Sequence, residues 1–207
     1  MNVFIIGATG TIGRQLVNQA LNKGHSVTAF VRNPSKLDME HVRLRLVAGD
    51  VMDPASLERA LPGHDAVLVA LGAGAKGQVR ATGTSHVVAA MKHLGIRRLV
   101  CLSSLGVGDS RANLNFFWKY LMFGLLLRKA YADHVAQERL IVESGLEWTI
   151  VRPGAFTDGD LTGHYRHGFS PSAQNLALKV SRADVAHFML HQLDSNKYVG
   201  MTPAMSY

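Results

Sequence analysis

Three glycines spaced by three, Gly7, Gly10 and Gly13, follow an unbroken apolar run, Val3-Phe4-Ile5-Ile6, and open a helical pattern through Leu16, Val17, Ala20 and Leu21. A run without alternation suits a strand buried on both faces, and glycines so placed suit a strand-to-helix turn that cradles phosphate. Gly7 allows the tight turn, Gly10 lets backbone approach a diphosphate, and Gly13 lets the helix pack on the strand. A diphosphate there meets the free N–H groups and the positive end of the helix dipole. The alternative is a glycine-rich turn with no ligand; the strand before it and the helix after it favour the nucleotide.

The end of the next strand, Ser26–Val31, is the second informative position. Sites for the unphosphorylated dinucleotide place Asp or Glu about 20 residues past the glycines to hold the ribose hydroxyls. Here the chain reads Arg32-Asn33-Pro34-Ser35-Lys36. A guanidinium at Arg32, with Ser35 and Lys36 behind it, suits a 2′-phosphate, so NADPH/NADP+ is expected over NADH; a solvated basic turn is the competing reading. Asp50-Val51 ends the third strand, where a carboxylate and an amide can meet adenine. Leu71-Gly72 ends the fourth and can pass beneath the adenosine ribose and diphosphate. Both pairs are also ordinary turn chemistry.

Other chemistries find less support. No Tyr is followed four residues on by Lys, since Tyr120 leads to Gly124 and Tyr131 to Val135. This weakens alcohol–ketone exchange, which needs a proton donor at the carbonyl oxygen. No G-x-S-x-G elbow surrounds Ser104, so it is not expected to be a nucleophile. His187 and His191 share a helix face but lack an evident third ligand, so no metal is expected. The single Cys101 excludes an internal disulfide and makes a reducing cytoplasm the expectation. A net charge of +7 admits nucleic acid or a membrane surface, but the cations are scattered without a run of five. An anionic cofactor and substrate explain the excess, and no nucleic-acid partner is expected.

These residues need elements to hold them, and strand, turn and helix alternate along the chain. Strands are expected at Arg43–Ala48, Ala66–Ala70, Arg98–Leu102 and Glu147–Arg152. Between the strands fall a helix opened by Asp53-Pro54 and closed at Pro62-Gly63, another over Ala81–Leu94, and a third over Ala130–Ser144 stopped by Gly145. A glycine-rich loop covers Leu71 to Gly77. Ser181-Arg182-Ala183-Asp184 reads as a capping box for a helix burying Val185, Phe188, Met189 and Leu193. Such alternation calls for a doubly wound, mostly parallel Rossmann sheet of the α/β class, with helices on both faces. With 207 residues and 47% hydrophobic content, one domain over 1–207 suffices. No leader precedes the first strand, so the mature chain is expected to begin at Met1 and to stay in the cytoplasm.

The most apolar stretch, Leu114 to Lys129, is interrupted by Lys119 and too short to span a bilayer. Three uses compete: a core helix, a lid over a flat aromatic substrate, or a surface for another subunit or a membrane. On the lid reading, Trp118, Lys119, Phe123, Arg128 and Arg166 become candidate contacts to the substrate and its acidic groups. A monomer or weak homo-oligomer is expected.

Gly7-Ala8-Thr9-Gly10, Val31-Arg32, Gly49-Asp50-Val51, Ser103-Ser104 and Glu143-Ser144-Gly145-Leu146 together resemble the atypical short-chain dehydrogenase/reductases with an NmrA-like Rossmann domain. Asp160-Leu161-Thr162-Gly163-His164-Tyr165 and Ala186-His187-Phe188-Met189-Leu190 are similar to the biliverdin-IXβ reductase, or flavin reductase, branch. The resemblance implies an NADPH enzyme acting on flavins and bilins. It places Gly7, Thr9, Gly10 and Ile12 at the diphosphate, and Arg32, Ser35 and Lys36 at the 2′-phosphate. Asp50 and Val51 fall at adenine, and Leu71 and Gly72 along the dinucleotide. Arg80, Leu102, Ser104 and His134 fall toward the nicotinamide, beside the loop Pro153-Gly154-Ala155-Phe156. It also implies substrate-side elements at about 105–130 and 153–180, with Ser104 beside the reacting ring. His134 stands where related members keep a lysine, and Ala155 where that branch has a histidine. Direct hydride transfer to a planar conjugated acceptor is therefore expected, without metal or bound flavin. Two alternatives remain: reduction or dehydration of another small metabolite, and NADP(H) sensing without catalysis.

Overall fold

Phe4 and Ile6 point to one side of the first strand and Val3 and Ile5 to the other, and all four are buried. That two-sided burial is what a central parallel strand requires. The computed structural model describes residues 1–72 and 79–207, so most of the expected glycine-rich loop, 73–78, lies outside the described residues. In chain order the elements are β1 (Asn2–Ile6), α1 (Thr11–Asn22), β2 (Ser26–Val31), β3 (Leu44–Ala48), α2 (Pro54–Ala60) and β4 (Ala66–Val69). There follow α3 (Val79–His93), β5 (Arg98–Leu102), a π-helical segment (Phe117–Leu126), α4 (Arg128–Val142) and β6 (Glu147–Pro153). The chain finishes with β7 (Ala155–Thr157), β8 (Arg166–His167), β9 (Lys179–Ser181), α5 (Arg182–His191) and β10 (Ala204–Ser206).

One eight-stranded sheet runs in the order β3-β2-β1-β4-β5-β6-β10-β8, parallel except for β8, with helices on both faces. The chain is a single α/β domain with a Rossmann-like fold. Helices α1 and α5 pack together on one face, and α2, α3 and α4 cover the other. Register decides where ligand can bind: Ile6 pairs with Phe30 and Val69, Val69 with Cys101, and Leu102 with Val151. The carboxyl ends of five strands therefore finish level, and their loops share one edge of the sheet.

Four local expectations change. The expected loop Pro153–Phe156 is partly strand: Pro153 closes β6, and Ala155 and Phe156 lie in β7, paired with β9. Its partner lies more than twenty residues further along the chain, beyond the reach of local pattern. The capping box is half made. Ser181 Oγ accepts from the Asp184 N–H at 3.0 Å, but the Ser181 N–H donates to the Tyr207 hydroxyl instead of the Asp184 carboxylate. That carboxylate instead accepts from the Thr162 and Gly163 N–H groups and from the Thr162 and Tyr207 hydroxyls. Leu193 is only partly buried. Finally, the apolar stretch is no core helix, because six of its large side chains face out.

Candidate functional site

The turn after β1 is built as its glycines demand. Gly7 has φ +82°, the left-handed region that glycine alone enters cheaply. A Cβ on Gly13 would overlap the Gly7 carbonyl oxygen and approach Ala8 Cα to 2.7 Å, so only glycine lets α1 start this close to β1. Gly10 is the N-cap of α1 and offers no side-chain acceptor, so the first N–H groups of the helix lack a capping partner among the described residues. That amide cluster opens into a cleft of about 590 Å³ running along the carboxyl edge of the sheet.

From this end the cleft wall takes in Gly7, Thr9, Gly10 and Ile12, then Arg32 at the exposed end of β2, then Asp50 and Val51. Asp50 is fixed by an Asx turn, its Oδ1 accepting from the Met52 N–H at 3.0 Å. Leu71 and Gly72 form the floor beyond β4. At the far end stand Arg80, Leu102, Ser104 and His134, opposite Pro153, Gly154, Ala155 and Phe156. Trp118 and Phe123, on the inner side of the π-helical segment, close this end. Segments far apart in sequence thus meet in one continuous groove.

Not every candidate reaches it. Ser35 and Lys36 sit on the 3-10 turn behind Arg32 and are not part of the wall; the Ser35 hydroxyl donates to Asn33 Oδ1 at 2.7 Å. Lys119 turns back to the Ala112 carbonyl at 3.4 Å. Arg128 lies on the exposed side of α4, beside Tyr131 and Val135. Arg166 donates to the Gln174 and Asn175 carbonyls and stacks 5.9 Å from the centre of the Phe169 ring. These three cations are placed away from the cleft by bonds or by helix face.

The far end carries the unusual electrostatics. Asp133 of α4 caps α3 from outside, accepting from the Arg80 and Ala81 N–H groups at 3.1 and 3.0 Å and from the Arg80 guanidinium at 3.4 Å. Arg80 is buried, yet its Nε has no hydrogen-bond partner among the described residues. A buried donor so placed is costly unless a ligand supplies an acceptor. Burial, and then the Arg80 charge, hold the His134 imidazole down to about 4, against the Gln137 hydrogen bond and Asp133. At neutral pH His134 is uncharged. Ser104 is half-buried, and its hydroxyl donates only a long 3.3 Å bond to the adjacent Leu105 carbonyl, so it is available to a ligand. Its neighbour Ser103 is committed inward, donating to Glu138 at 2.5 Å.

Sequence reading missed Arg182. It lines the cleft at the start of α5, donates to Thr11 Oγ1 at 3.1 Å and Asp158 at 2.7 Å, and lies 5.8 Å from the Phe156 ring centre. A signal was there: a cation in the first turn of a helix opposes the dipole and needs another reason to be present. Leu105, Leu114, Leu127 and Leu178 also line the far end and carried no local signal.

A Rossmann sheet, a glycine turn opening on an uncapped helix and a groove along the carboxyl edge define a dinucleotide-binding protein. The comparisons agree: a family model described as NAD(P)H-binding matches residues 7–196. The chain belongs to this NAD(P)H-binding family. It is 30% identical over 204 residues to the uncharacterized sugar epimerase YhfK of Bacillus subtilis, covering 94% of this chain and 88% of that protein. It is 30% identical over 171 residues to the photosystem II assembly factor Ycf39 of a Synechocystis strain, where 80% of this chain spans only 48% of the relative. Among solved structures, ChuY, an anaerobillin reductase from Escherichia coli O157:H7, shares the fold at TM-score 0.79 and 24% identity, covering 100% of this chain and 97% of that one.

Proposed function

We propose that this protein is an NADPH-dependent reductase passing hydride directly to a flavin, bilin or similar planar conjugated acceptor. The observation that carries this reading is the change of character along one groove. Glycine amides and Arg32 line one end; Leu105, Leu114, Trp118 and Phe123 wall the other, with Ser104 between. The Trp118 and Phe123 rings, 5.9 Å apart, offer apolar area to a flat acceptor. The fit to a dinucleotide rests on the uncapped α1 amides, the glycine packing that a Cβ would block, and the orphaned Arg80 Nε.

When bound, NADPH supplies a hydride from its nicotinamide. Residues Gly7 to Ile12 would hold the diphosphate, Arg32 the 2′-phosphate, and Arg80 an acceptor atom of the nicotinamide half, with Pro153 to Phe156 available to hold that half. Neutral His134 is no charged proton donor, so the reaction is one in which solvent or the Ser104 hydroxyl delivers the proton. This favours flavin and bilin reduction over alcohol–ketone exchange.

Purified protein given NADPH with FMN, riboflavin or biliverdin is expected to consume NADPH with at least one of them. Binding of NADPH without turnover on any planar acceptor would transfer the protein to the sensor reading. Ser104→Ala is expected to cut turnover about tenfold, the worth of one hydrogen bond strengthened in the transition state, with NADPH affinity retained. Unchanged turnover would remove Ser104 from the mechanism.

A further inference from the structure

The outer face of the π-helical segment takes no part in the cleft. Bonding from i to i+5, as from the Leu127 N–H to the Met122 carbonyl at 2.7 Å, brings residues four and five apart to one side. Phe116, Phe117, Tyr120, Leu121, Leu125 and Leu126 all face out, Phe116 76% and Leu125 69% exposed. The patch is continuous at its start, where the Phe116 and Tyr120 rings lie 4.8 Å apart. Monomeric soluble proteins seldom leave such a patch without a use. Its charge is equally one-sided. From Ser110 to Ala132 there is no Asp or Glu, while Arg111, Lys119, Arg128 and Lys129 are cationic. Arg111 is held over the Tyr131 ring at 5.6 Å, and Lys119 bonds the Ala112 carbonyl. Arg128 and Lys129 are exposed and form no ion pair among the described residues.

We propose that this face docks on the surface of an anionic lipid bilayer. The aromatic and leucine side chains enter the headgroup region while Arg128 and Lys129 meet lipid phosphates, the arrangement of an interfacial amphipathic segment. The chain lies on the bilayer and does not cross it through any described helix, since none is long and apolar enough. A second copy of this chain is the rival occupant, and charge argues against it. A two-fold contact would set the same acid-free, cationic segment against itself, with no carboxylate in the patch to offset the repulsion. Because Trp118 and Phe123 on the inner side of the same segment line the cleft, docking sets the mouth of the cleft beside the bilayer.

The test is cosedimentation of the full chain with vesicles of phosphatidylcholine alone and of about three parts phosphatidylcholine to one of phosphatidylglycerol. Binding is expected to the anionic vesicles, at least about tenfold stronger than to the neutral ones and weakened by salt. Each cation near the surface is worth about fivefold, so Arg128→Ala with Lys129→Ala should lower partitioning about thirtyfold. Leu121→Ser with Leu125→Ser should abolish binding while the thermal midpoint stays within about 2 °C, because both side chains are exposed. Failure to sediment with anionic vesicles, or binding indifferent to both double variants, overturns the proposal. So does a concentration-dependent dimer that Leu121→Ser with Leu125→Ser dissociates, which would give the face to a second copy. None of these readouts depends on turnover, so the reductase reading stands or falls separately.

Discussion

In the proposed reading, cofactor choice turns on Arg32. It stands where a ribose-binding carboxylate would otherwise be, at the exposed end of β2 and on the wall of the groove. Charge-assisted hydrogen bonds to a 2′-phosphate are worth about 1.5–3 kcal/mol, so Arg32→Ala should raise KM for NADPH about ten- to a hundredfold and leave that for NADH nearly unchanged. The ratio of kcat/KM for the two cofactors checks this; equal losses for both would deny Arg32 the phosphate. Gly13 makes a purely steric claim. Its missing Cβ leaves room for the Gly7 carbonyl, and because backbone cannot yield as a side chain can, Gly13→Ala should cost about 1–3 kcal/mol in urea unfolding and weaken cofactor binding as well.

At the scale of elements, the far end of the groove is held by a buried ion pair. Arg152 on β6 donates to both oxygens of Glu138 on α4, at 3.0 and 2.6 Å, and reaches out to Asp109 at 2.5 Å. Glu138 in turn accepts from Ser103, so the ends of β5 and β6 are tied to one helix directly beside Ser104. Burial alone would lower the Arg152 guanidinium, but its bonds to Glu138 and Asp109 outweigh that and raise it above the ordinary arginine value. Arg152→Met, which strands a buried carboxylate, should cost about 3–5 kcal/mol, and adding Glu138→Leu should restore most of it. Urea unfolding of the two variants decides between them. A single variant as stable as the double would mean that Glu138 finds another partner.

Across the whole molecule, several buried or half-buried histidines make acid the direction of weakness. His134, held at about 4, binds fewer protons when folded than when unfolded at 6.5, so the unfolded state gains protons as pH falls through that window. Stability should therefore be full above about pH 6.5 and decline toward about pH 4, by at most about 1.4 kcal/mol per pH unit for this group. Burial lowers His25, His167 and His187 as well, and each adds loss in the same direction. Urea midpoints measured from about pH 7 to about pH 5 should fall steadily, and His134→Gln should flatten the slope by about one proton. A slope untouched by that substitution would mean that the imidazole is reached by water in the folded state.

Periodicity and glycine spacing, both properties of neighbouring residues, were enough to determine the strand–helix alternation, the dinucleotide turn at Gly7, Gly10 and Gly13, and the cationic end of β2. Each is a local steric or electrostatic requirement, and local requirements are written in adjacent residues. What lay beyond the chain's own reading depended on partners distant in sequence. The pairing of β7 with β9, the capping of α3 by Asp133, the diversion of Asp184 to Thr162 and Tyr207, and the arrival of Arg182 at the groove all join segments that no local pattern connects. The apolar stretch shows the limit plainly. Its composition admits core, lid or docking surface, and only tertiary packing, which turns Phe123 inward and leaves Phe116 and Leu125 in water, decides which face is buried.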